Sequence, residues 1–315
     1  MNCSALRFVR HVGMRRSYGV KPLPICNTTT VSRFNRQAIG ATYSSLARES
    51  SEGKSVIITG SSRGIGKAIA LRLAADGYNV CVNDLGANKA GCDEVVKEIR
   101  SMGRKACTAI ADVTKRDEVK EMVQTSVREL GPLNTMIANA GIVQVADLLE
   151  ISEEDFQRMF DINVLGVHNC FAEAAKQLIS QGGCSVDHPG KLIVAASIVA
   201  FKSFPLLPHY SASKWAVRGL MEAYAMSLAK HGITVNAYAP GIVGTNMWEI
   251  ISDGVHKPLG LKRDDVTSTM AHNMTALDRI SVPEDVAKLV SFLASRDSDF
   301  VTGQTQLVDG GIVFT

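Results

Sequence analysis

The sequence lacks any apolar stretch that approaches the 18 or more residues of a membrane-spanning helix. Its seven cysteines include no C-x-x-C pair and show no metal-ligand spacing. We therefore expect reduced thiols in a reducing compartment and no bound metal. Aromatic residues are few, at 6% of 315 positions, although 46% of the residues are hydrophobic. This composition is ordinary for a globular protein, and the length suits one large α/β domain.

Acidic residues are almost absent from the first fifty positions. Residues 1–50 hold eight Lys or Arg and one acid, Glu49, together with many Ser and Thr. A basic, serine-rich start with interleaved apolar residues is typical of a mitochondrial transit peptide, and an unprocessed disordered tail is the alternative. Residues 51–315 then hold 26 basic and 30 acidic residues. That balance disfavours a nucleic-acid-binding surface.

From residue 51 onward, short β-branched runs alternate with helical patterns, with no second linker and no internal repeat. The predicted strands are 56–59, 80–83, 105–109, 135–138, 191–195, 235–238 and 305–308. The predicted helices are 67–76, 90–102, 115–130, 156–179 and 212–231. This alternation predicts a single α/β domain over 51–315, a doubly wound parallel sheet of the Rossmann type with helices on both faces. Ligands then bind at the carboxyl ends of the strands.

The stretch T-G-S-S-R-G-I-G, residues 59–66, lies between the first predicted strand and the first helix. Glycine there allows a tight turn and lets backbone N–H groups approach a pyrophosphate at the helix N-terminus. The spacing G-x-x-x-G-x-G resembles one variant of the dinucleotide fingerprint, the alternative being a plain glycine-rich turn. We predict cofactor contacts from Gly60, Ser62, Arg63, Gly64, Ile65 and Gly66.

Asp84 ends the second predicted strand, 18 residues after Gly66. A carboxylate at this place hydrogen-bonds an adenosine ribose hydroxyl and repels a 2′-phosphate. Arg63 would favour that phosphate, but its long side chain can turn toward water or the pyrophosphate. The sequence therefore predicts NAD as the cofactor, with a simple turn role for Asp84 as the alternative.

Tyr210 and Lys214 stand four residues apart in the run Y-S-A-S-K. On a helix, positions i and i+4 share a face, so both side chains can meet one ligand. Tyrosine titrates near pH ~10, and a neighbouring cation favours its phenolate. The pair therefore predicts a proton-transfer site for a carbonyl that is reduced by hydride. We interpret the neighbouring His209 as a loop residue and not as a base.

Taken in order along the chain, these motifs resemble the short-chain dehydrogenase/reductase family over residues 54–315. The resemblance is carried by residues 59–66, Asp112-Val113, Asn139-Ala140-Gly141, Asn163, Ser197, Tyr210, Lys214 and Pro240-Gly241. It implies that Tyr210 is the general acid/base and that Ser197 hydrogen-bonds the substrate oxygen. It further implies that Lys214 binds the nicotinamide ribose and lowers the pKa of Tyr210, while Asn163 holds a water in a proton relay. The remaining cofactor contacts that it implies are Asp112, Val113, Asn139, Ala140, Gly141, Pro240, Gly241, Val243 and Thr245.

The C-terminal third is similar to the diacetyl/acetoin reductases, or butanediol dehydrogenases, within that family. The similarity lies in P-G-I-V-G-T-N-M-W-E (240–249) and V-D-G-G-I-V-F (308–314). It implies an apolar flap over a small substrate, followed by a mobile stretch over 254–260. The flap residues are Met247, Trp248 and Ile250.

One position departs from the pattern of those reductases, which often carry Gln directly after the catalytic serine. Here that position is Ile198, so one hydrogen bond to a second substrate oxygen is missing. Phe204 and Leu206 make the rim of the substrate pocket more apolar still. A bulkier or less polar ketone is therefore an alternative to a vicinal diketone.

The sequence as a whole predicts an NAD(H)-dependent oxidoreductase that interconverts a small ketone and a secondary alcohol, with a diacetyl- or acetoin-like substrate. A 3-oxoacyl-carrier reductase, expected to prefer NADPH, and a polyol or ketose reductase are alternatives. An alternative of another class is a non-catalytic dinucleotide-binding regulatory protein, although such proteins usually lose the tyrosine or the lysine.

We also expect a homotetramer or homodimer, because two helices carry wider apolar faces than one sheet face can cover. Those faces are Val167, Phe171, Ala174, Ala175 and Leu178 on the helix after Asn163, and Ala216, Leu220, Ala223, Met226 and Leu228 on the helix of Lys214.

Overall fold

The structure is a computed structural model that describes residues 53–315. The transit peptide expected within residues 1–50 lies outside the described residues. Within 53–315, no helix combines the length and the apolar character that crossing a bilayer requires.

Seven parallel strands form one sheet in the order β3-β2-β1-β4-β5-β6-β7. The strands are β1 Ser55–Ile58, β2 Asn79–Asp84, β3 Ala106–Ile110, β4 Leu133–Ala138, β5 Gly190–Ala195, β6 Ile233–Pro240 and β7 Thr305–Val308. The five central strands are almost entirely buried, as expected for apolar runs in a parallel sheet covered on both faces. The strand order reverses between β1 and β4, so the carboxyl ends of these two strands border a crevice. The predicted doubly wound sheet is confirmed.

Helices cover both faces of this sheet. The helices of residues 53–315 are α1 Gly64–Ala75, α2 Lys89–Ser101, α3 Arg116–Leu130, α4 Glu153–Phe160, α5 Gly166–Ser180, α6 Pro208–Leu228, α7 Asn246–Leu259, α8 Val266–Met274 and α9 Pro283–Ala294. The alternation of side chains along β1 divides the core, because Ile57 packs on one face while Val56 and Ile58 pack on the other. Helices α1, α2 and α9 cover the second face, and α3, α5 and α6 cover the first.

The predicted helix 156–179 is in fact two helices joined by a π-helical turn, Asp161–Leu165. The turn contains Asn163, which the sequence places inside one continuous helix. A π turn inserts one residue into the helical ladder and often marks a functional position.

The C-terminal third also differs from the sequence prediction. The stretch 254–260, expected to be mobile, forms the second half of α7 up to Leu259, with Pro258 inside the helix. Helices α7, α8 and α9 were not predicted; in α7, Gly254 and Pro258 interrupt the apolar pattern. Helix α6 begins at Pro208, which is favourable at a first helical turn, so His209 lies in a helix and not in a loop.

The two apolar faces expected at a subunit interface have different environments. Val167, Phe171, Ala174, Ala175 and Leu178 are all buried within the chain, so the expectation for α5 is wrong. These side chains pack in the core on the first face of the sheet. On α6, Leu228 is also buried, Ala216 and Leu220 are partly exposed, and Ala223 and Met226 are exposed.

Candidate active site

The loop from β1 to α1 has the backbone of a phosphate cradle. Gly60 and Gly64 adopt φ values of +62° and +56°, which side chains other than glycine rarely adopt. A Cβ atom on Gly66 would lie 2.2 Å from the carbonyl oxygen of Gly60. No side chain caps the start of α1, whose N-cap residue is the exposed Arg63. The first N–H groups of α1 are therefore free to bind an anion.

Asn139, at the carboxyl end of β4, holds this loop in place. Its amide nitrogen donates to the carbonyl oxygens of Thr59 and Gly60 at 2.9 and 3.1 Å. Its amide oxygen accepts a hydrogen bond from the hydroxyl of Tyr238 at 2.8 Å. A Cβ on Gly60 would lie only 2.9 Å from Cα of Ala140, so the ends of β1 and β4 are in close contact. No sequence pattern indicates a role for Tyr238, because its hydrogen bond to Asn139 forms only once β5 pairs with β6 in the sheet.

Asp84, the last residue of β2, is bound to the same loop. Its Oδ2 accepts hydrogen bonds from the hydroxyl of Ser62 at 2.6 Å and from the backbone N–H of Ser62 at 3.3 Å. Its Oδ1 accepts from the Asn88 amide at 2.8 Å and from the Leu85 N–H at 2.9 Å. Burial raises the pKa of Asp84, but these hydrogen bonds outweigh burial, so the pKa lies below its ordinary value. Asp84 is therefore anionic at neutral pH.

Two of the predicted cofactor contacts, Asp112 and Val113, follow β3. Asp112 accepts hydrogen bonds from the N–H and the hydroxyl of Thr114 at 2.9 and 2.8 Å, so one of its carboxylate oxygens stabilises its own turn. Val113 is buried, and its carbonyl oxygen accepts from the amide of Asn169 at 2.9 Å. This contact fixes the turn to α5.

The predicted cofactor contacts Gly241, Val243 and Thr245 follow β6. A Cβ on Gly64 would lie 3.7 Å from Cγ2 of Thr245, so the start of α7 reaches the phosphate loop. Val243 is buried, and a Cβ on Gly241 would lie 2.8 Å from Cβ of Asp309. Gly241 thus lets the segment that follows Pro240 pack against the C-terminal segment.

Tyr210 and Lys214 lie one turn apart at the start of α6, and both are buried. The ammonium Nζ of Lys214 donates to the carbonyl oxygen of Ala195 at 2.8 Å and lies 5.7 Å from the centroid of the Tyr210 ring. Ser197 follows β5, as predicted, and its hydroxyl accepts from the Val199 N–H at 3.3 Å. Ser197 also hydrogen-bonds Tyr210. The structure therefore brings the predicted tyrosine, lysine and serine together.

Burial has the largest effect on the pKa of both Tyr210 and Lys214. Burial raises the pKa of Tyr210 to about 12, and the hydrogen bond with Ser197 offsets only part of that effect. Burial also lowers the pKa of Lys214 to about 8. Desolvation dominates both groups, because the charged form of each loses water, and within residues 53–315 no carboxylate pairs with Lys214 to restore its charge. Tyr210 is therefore a neutral phenol at pH 7, which is the form that can donate a proton.

Asn163, in the π-helical turn, connects this group to the loop after β4. Its amide oxygen accepts from the Ile142 N–H at 2.9 Å, and its amide nitrogen donates to the Ile142 carbonyl at 3.0 Å and to the Ser213 hydroxyl at 3.1 Å. A Cβ on Gly141 would lie 3.1 Å from the Asn163 oxygen and 3.6 Å from Nζ of Lys214. Gly141 therefore lets the loop pass close to the lysine.

An apolar cluster surrounds the phenol of Tyr210 and is closed by α7. The residues predicted to face the substrate, Ile198, Phe204, Met247 and Trp248, all pack against this cluster. Ile250, the third residue of the expected flap, is 51% exposed and is not among the packed residues. Ile251 is buried there instead, since one residue along a helix turns the side chain by about 100°.

The family profile described as short chain dehydrogenase matches residues 54–255, which include the phosphate loop, Asn163, Ser197, Tyr210 and Lys214. The chain belongs to the short-chain dehydrogenase family. The resemblance stated from the motifs is thereby confirmed.

Several relatives of this short-chain dehydrogenase align with most of its length. It is 42% identical to the L-2,3-butanediol dehydrogenase of Corynebacterium glutamicum, over 83% of this chain and 99% of the relative. It is 43% identical to a diacetyl reductase, (S)-acetoin forming, of Staphylococcus epidermidis, with the same coverage. A 3-oxoacyl-(acyl-carrier-protein) reductase of S. epidermidis is 38% identical over 82% of this chain and 98% of the relative.

A solved structure supports the fold of this short-chain dehydrogenase. A short-chain type dehydrogenase/reductase from Mycobacterium marinum superposes with a TM-score of 0.73 at 32% identity, covering 86% of this chain and 99% of that one. Within residues 53–315, no three His, Cys, Asp or Glu side chains converge as metal ligands.

Short-chain dehydrogenases use NAD(P), and the described residues fit such a cofactor. The glycines of the β1–α1 loop leave room that a Cβ on Gly66 would fill, next to free N–H groups at the start of α1. Asp84 stands at the end of β2, where the ribose of a dinucleotide lies in this fold. Thr245 closes the other end of the loop.

Proposed function

We propose that this protein is an NAD(H)-dependent oxidoreductase that interconverts a small ketone and a secondary alcohol, with an acetoin- or diacetyl-like substrate. The observation that carries the proposal is the buried phenol of Tyr210, which lies one helical turn from the ammonium of Lys214 and is enclosed by an apolar cluster under α7. The butanediol dehydrogenase and diacetyl reductase relatives support a small four-carbon substrate.

Each side chain has a distinct task in this proposal. Tyr210 holds the proton that the alcohol oxygen receives in the reductive direction. Ser197 shares a hydrogen bond with Tyr210 and orients the same oxygen. Lys214, held by the Ala195 carbonyl, places its charge beside the phenol and favours the phenolate that proton donation leaves behind. The bound nicotinamide supplies or accepts the hydride.

The preference for NAD(H) rests on the electrostatics at Asp84. Its carboxylate is held anionic by four hydrogen bonds, and a ribose 2′-phosphate beside it would face direct repulsion. Arg63 is the nearby cation on the loop, but it is exposed and its charge is screened by solvent. We therefore infer that Asp84 decides the cofactor.

A 3-oxoacyl-carrier reductase is the second candidate, because one relative carries that activity in its name. The apolar side chains of Ile198 and Phe204 would suit an acyl chain, and they make a polyol or ketose the less favoured substrate. The non-catalytic alternative is disfavoured, since Tyr210, Lys214, Ser197 and Asn163 are all retained.

One assay separates these candidates. Purified protein would be tested with diacetyl, acetoin, xylulose and a 3-oxoacyl thioester, each with NADH and with NADPH. We expect the four-carbon ketones with NADH to give the highest kcat/KM. A preference for the thioester with NADPH would instead establish the second candidate.

We further propose that the protein assembles into a homodimer or homotetramer through the outer face of α6. Trp215 is 45% exposed and Met226 78% exposed on this helix, with Leu220 and Ala223 between them. Exposed apolar side chains that line one helix face favour closed two-fold contacts. Phe300 and Phe314 are also exposed near the C-terminus, and they support a second contact for a tetramer.

The location that we propose is the mitochondrion. The proposal rests on the sequence of residues 1–50, where basic, Ser and Thr residues surround short apolar groups and one acid is present.

A further inference from the structure

Helix α7 contains a glycine, Gly254, that helix formation does not favour. The residue directly precedes Val255, which is buried in the apolar cluster around Tyr210. Glycine weakens a helix more than any residue except proline, and its usual advantage is access to positive φ. Gly254 is not among the glycines with positive φ, so the backbone gives no reason for it. The reason lies in the residue that stands opposite.

The residue opposite Gly254 is Val145, on the loop after β4. A Cβ on Gly254 would lie 2.4 Å from Cβ of Val145 and 2.7 Å from each of its two γ-carbons. Carbon atoms in normal contact stand about 3.5 to 4.0 Å apart, so an alanine at this position would require a shift of about an ångström. The absence of a side chain therefore lets α7 lie directly against this loop.

The loop is the fixed side of this contact. The N–H of Ala146 donates to the carbonyl oxygen of Leu206 at 3.1 Å, and the side chain of Gln144 donates to Asp155 on α4 at 2.9 Å. Both chain neighbours of Val145 are thus bound to other parts of the domain. An added side chain on α7 would therefore displace the helix and not the loop.

Gly254 shares a helix face with residues that cover the phenol of Tyr210. Met247, Ile251 and Gly254 follow the i, i+4, i+7 spacing, which places them on one side of α7. Met247 and Ile251 both pack in the apolar cluster that contains Tyr210. The distance between Gly254 and Val145 therefore determines how closely these two side chains approach Tyr210.

We propose that Gly254 is a specificity-determining residue, which holds α7 against Val145 and so restricts the substrate to ketones with short chains on both sides of the carbonyl. This inference rests on the proposed function and adds a size limit to it. The side chains of Ile198 and Phe204 are apolar, so their chemistry would not exclude a longer alkyl or acyl chain. The exclusion comes from the position of α7, which the contact at Gly254 fixes.

The test compares kcat/KM for butan-2-one with that for octan-2-one, which differs only in its longer alkyl chain. Wild-type protein should favour butan-2-one about tenfold or more. Gly254→Ala should displace α7 outward and lower this preference at least about tenfold, because the longer chain gains room. Gly219→Ala, on α6 where residues 53–315 leave open space around the added Cβ, is the matched control for a helical glycine and should not change the preference.

Exchanging the two side chains separates this role from a general loss of structure. Gly254→Ala combined with Val145→Gly moves the missing side chain to the other side of the contact, and it should restore the wild-type preference. Val145→Ile adds one methyl group opposite Gly254 and is the second variant, in case Gly254→Ala does not fold. It should change the preference in the same direction as Gly254→Ala.

The possible failures are distinguishable. A preference that neither Gly254→Ala nor Val145→Ile changes, or an equal loss for both ketones that the exchange does not reverse, would refute the role of Gly254. Wild-type protein that reduces octan-2-one as well as butan-2-one would refute the size limit and leave the proposed function in place. Wild-type protein that reduces no ketone with either nucleotide would overturn the proposed function, and this inference with it.

Discussion

The hydroxyl of Ser62 donates to the carboxylate of Asp84 at 2.6 Å, and this contact joins the phosphate loop to the end of β2. The two residues are 22 positions apart and belong to different strand–helix units. The same carboxylate that would bind a ribose therefore also orders the loop that would bind the pyrophosphate. Cofactor choice and loop geometry depend on one side chain.

Replacing Asp84 with Ser should raise the use of NADPH. The change removes the charge that repels a 2′-phosphate and leaves Arg63 free to attract it. We expect the ratio of kcat/KM for NADH over NADPH to fall at least tenfold, with some loss of overall rate because Ser62 loses its partner. Asp117→Ser, on the exposed start of α3, is the matched control. Wild-type protein that already prefers NADPH would contradict the assignment.

Tyr210→Phe should lower turnover at least about 100-fold, because it removes the proton donor and keeps the ring volume. NADH affinity, measured by fluorescence titration, should stay close to the wild-type value. Tyr224→Phe, later on the same helix and bonded to His168, removes a hydroxyl outside the site and should leave turnover unchanged. Near-normal turnover of Tyr210→Phe would mean that the proton comes from elsewhere.

Lys214→Met should abolish activity and yet stabilise the protein without cofactor. Moving the pKa of a lysine from 10.5 to about 8 corresponds to roughly 3 kcal/mol of destabilisation when the buried group is charged. The lost hydrogen bond to Ala195 opposes part of this gain, by about 1 kcal/mol. The net stabilisation at pH 7 should be roughly 1 to 2 kcal/mol by urea denaturation.

The pH dependence of this difference has a definite sign. Below about pH 8, Lys214 is charged in both the folded and the unfolded protein, so the full destabilisation from burying its charge is present. Between about pH 8 and 10.5 the folded state loses its proton first, so the wild type gains stability relative to Lys214→Met as pH rises. Lys97→Met, on the exposed face of α2, should show no such trend. If the free energies of unfolding of the wild type and Lys214→Met differed by the same amount at pH 7 and pH 10, a lowered pKa for Lys214 would be contradicted.

Met226→Glu should dissociate the proposed dimer, because it places a charge in the centre of an apolar contact. Light scattering on residues 51–315 should give two or four chains for the wild type and a smaller assembly for the variant. Met102→Glu adds the same charge at another exposed methionine, directly after α2 and on the opposite face of the sheet. A monomeric, active wild type would refute the interface and leave the catalytic residues as assigned.

Residues 1–50 fused to a fluorescent reporter should direct it to mitochondria. The eight basic side chains are the physical cause, so replacing Arg7, Arg10, Arg15 and Arg16 with Ser should abolish import. Imaging in cells with a matrix marker measures the outcome. A diffuse wild-type reporter would remove the proposal of a targeting segment, while the enzyme should keep its activity.

Several parts of the site were predictable because they depend on short stretches of chain. The buried β-branched runs of β1 and β5 were evident from local pattern, and the loop 59–66 has glycines where the backbone needs positive φ. The four-residue spacing of Tyr210 and Lys214 fixes their common helix face before any fold is known. These features follow from neighbouring residues alone.

The tertiary structure decided the rest, because the remaining properties depend on residues far apart in sequence. Burial has the largest effect on the pKa of Tyr210, and burial arises only when α6 packs against the sheet. The sequence predicts a subunit contact at the apolar face of α5, but in the structure these side chains are buried in the core of their own chain. His209 contacts the side chain of Gln144, 65 residues away, only in the folded chain. The sequence by itself determined the order of the motifs along the chain and the chemical groups of the site, since both depend on neighbouring residues. Their protonation, their partners and their exposure were decided by the fold, since each is set by what packs around them.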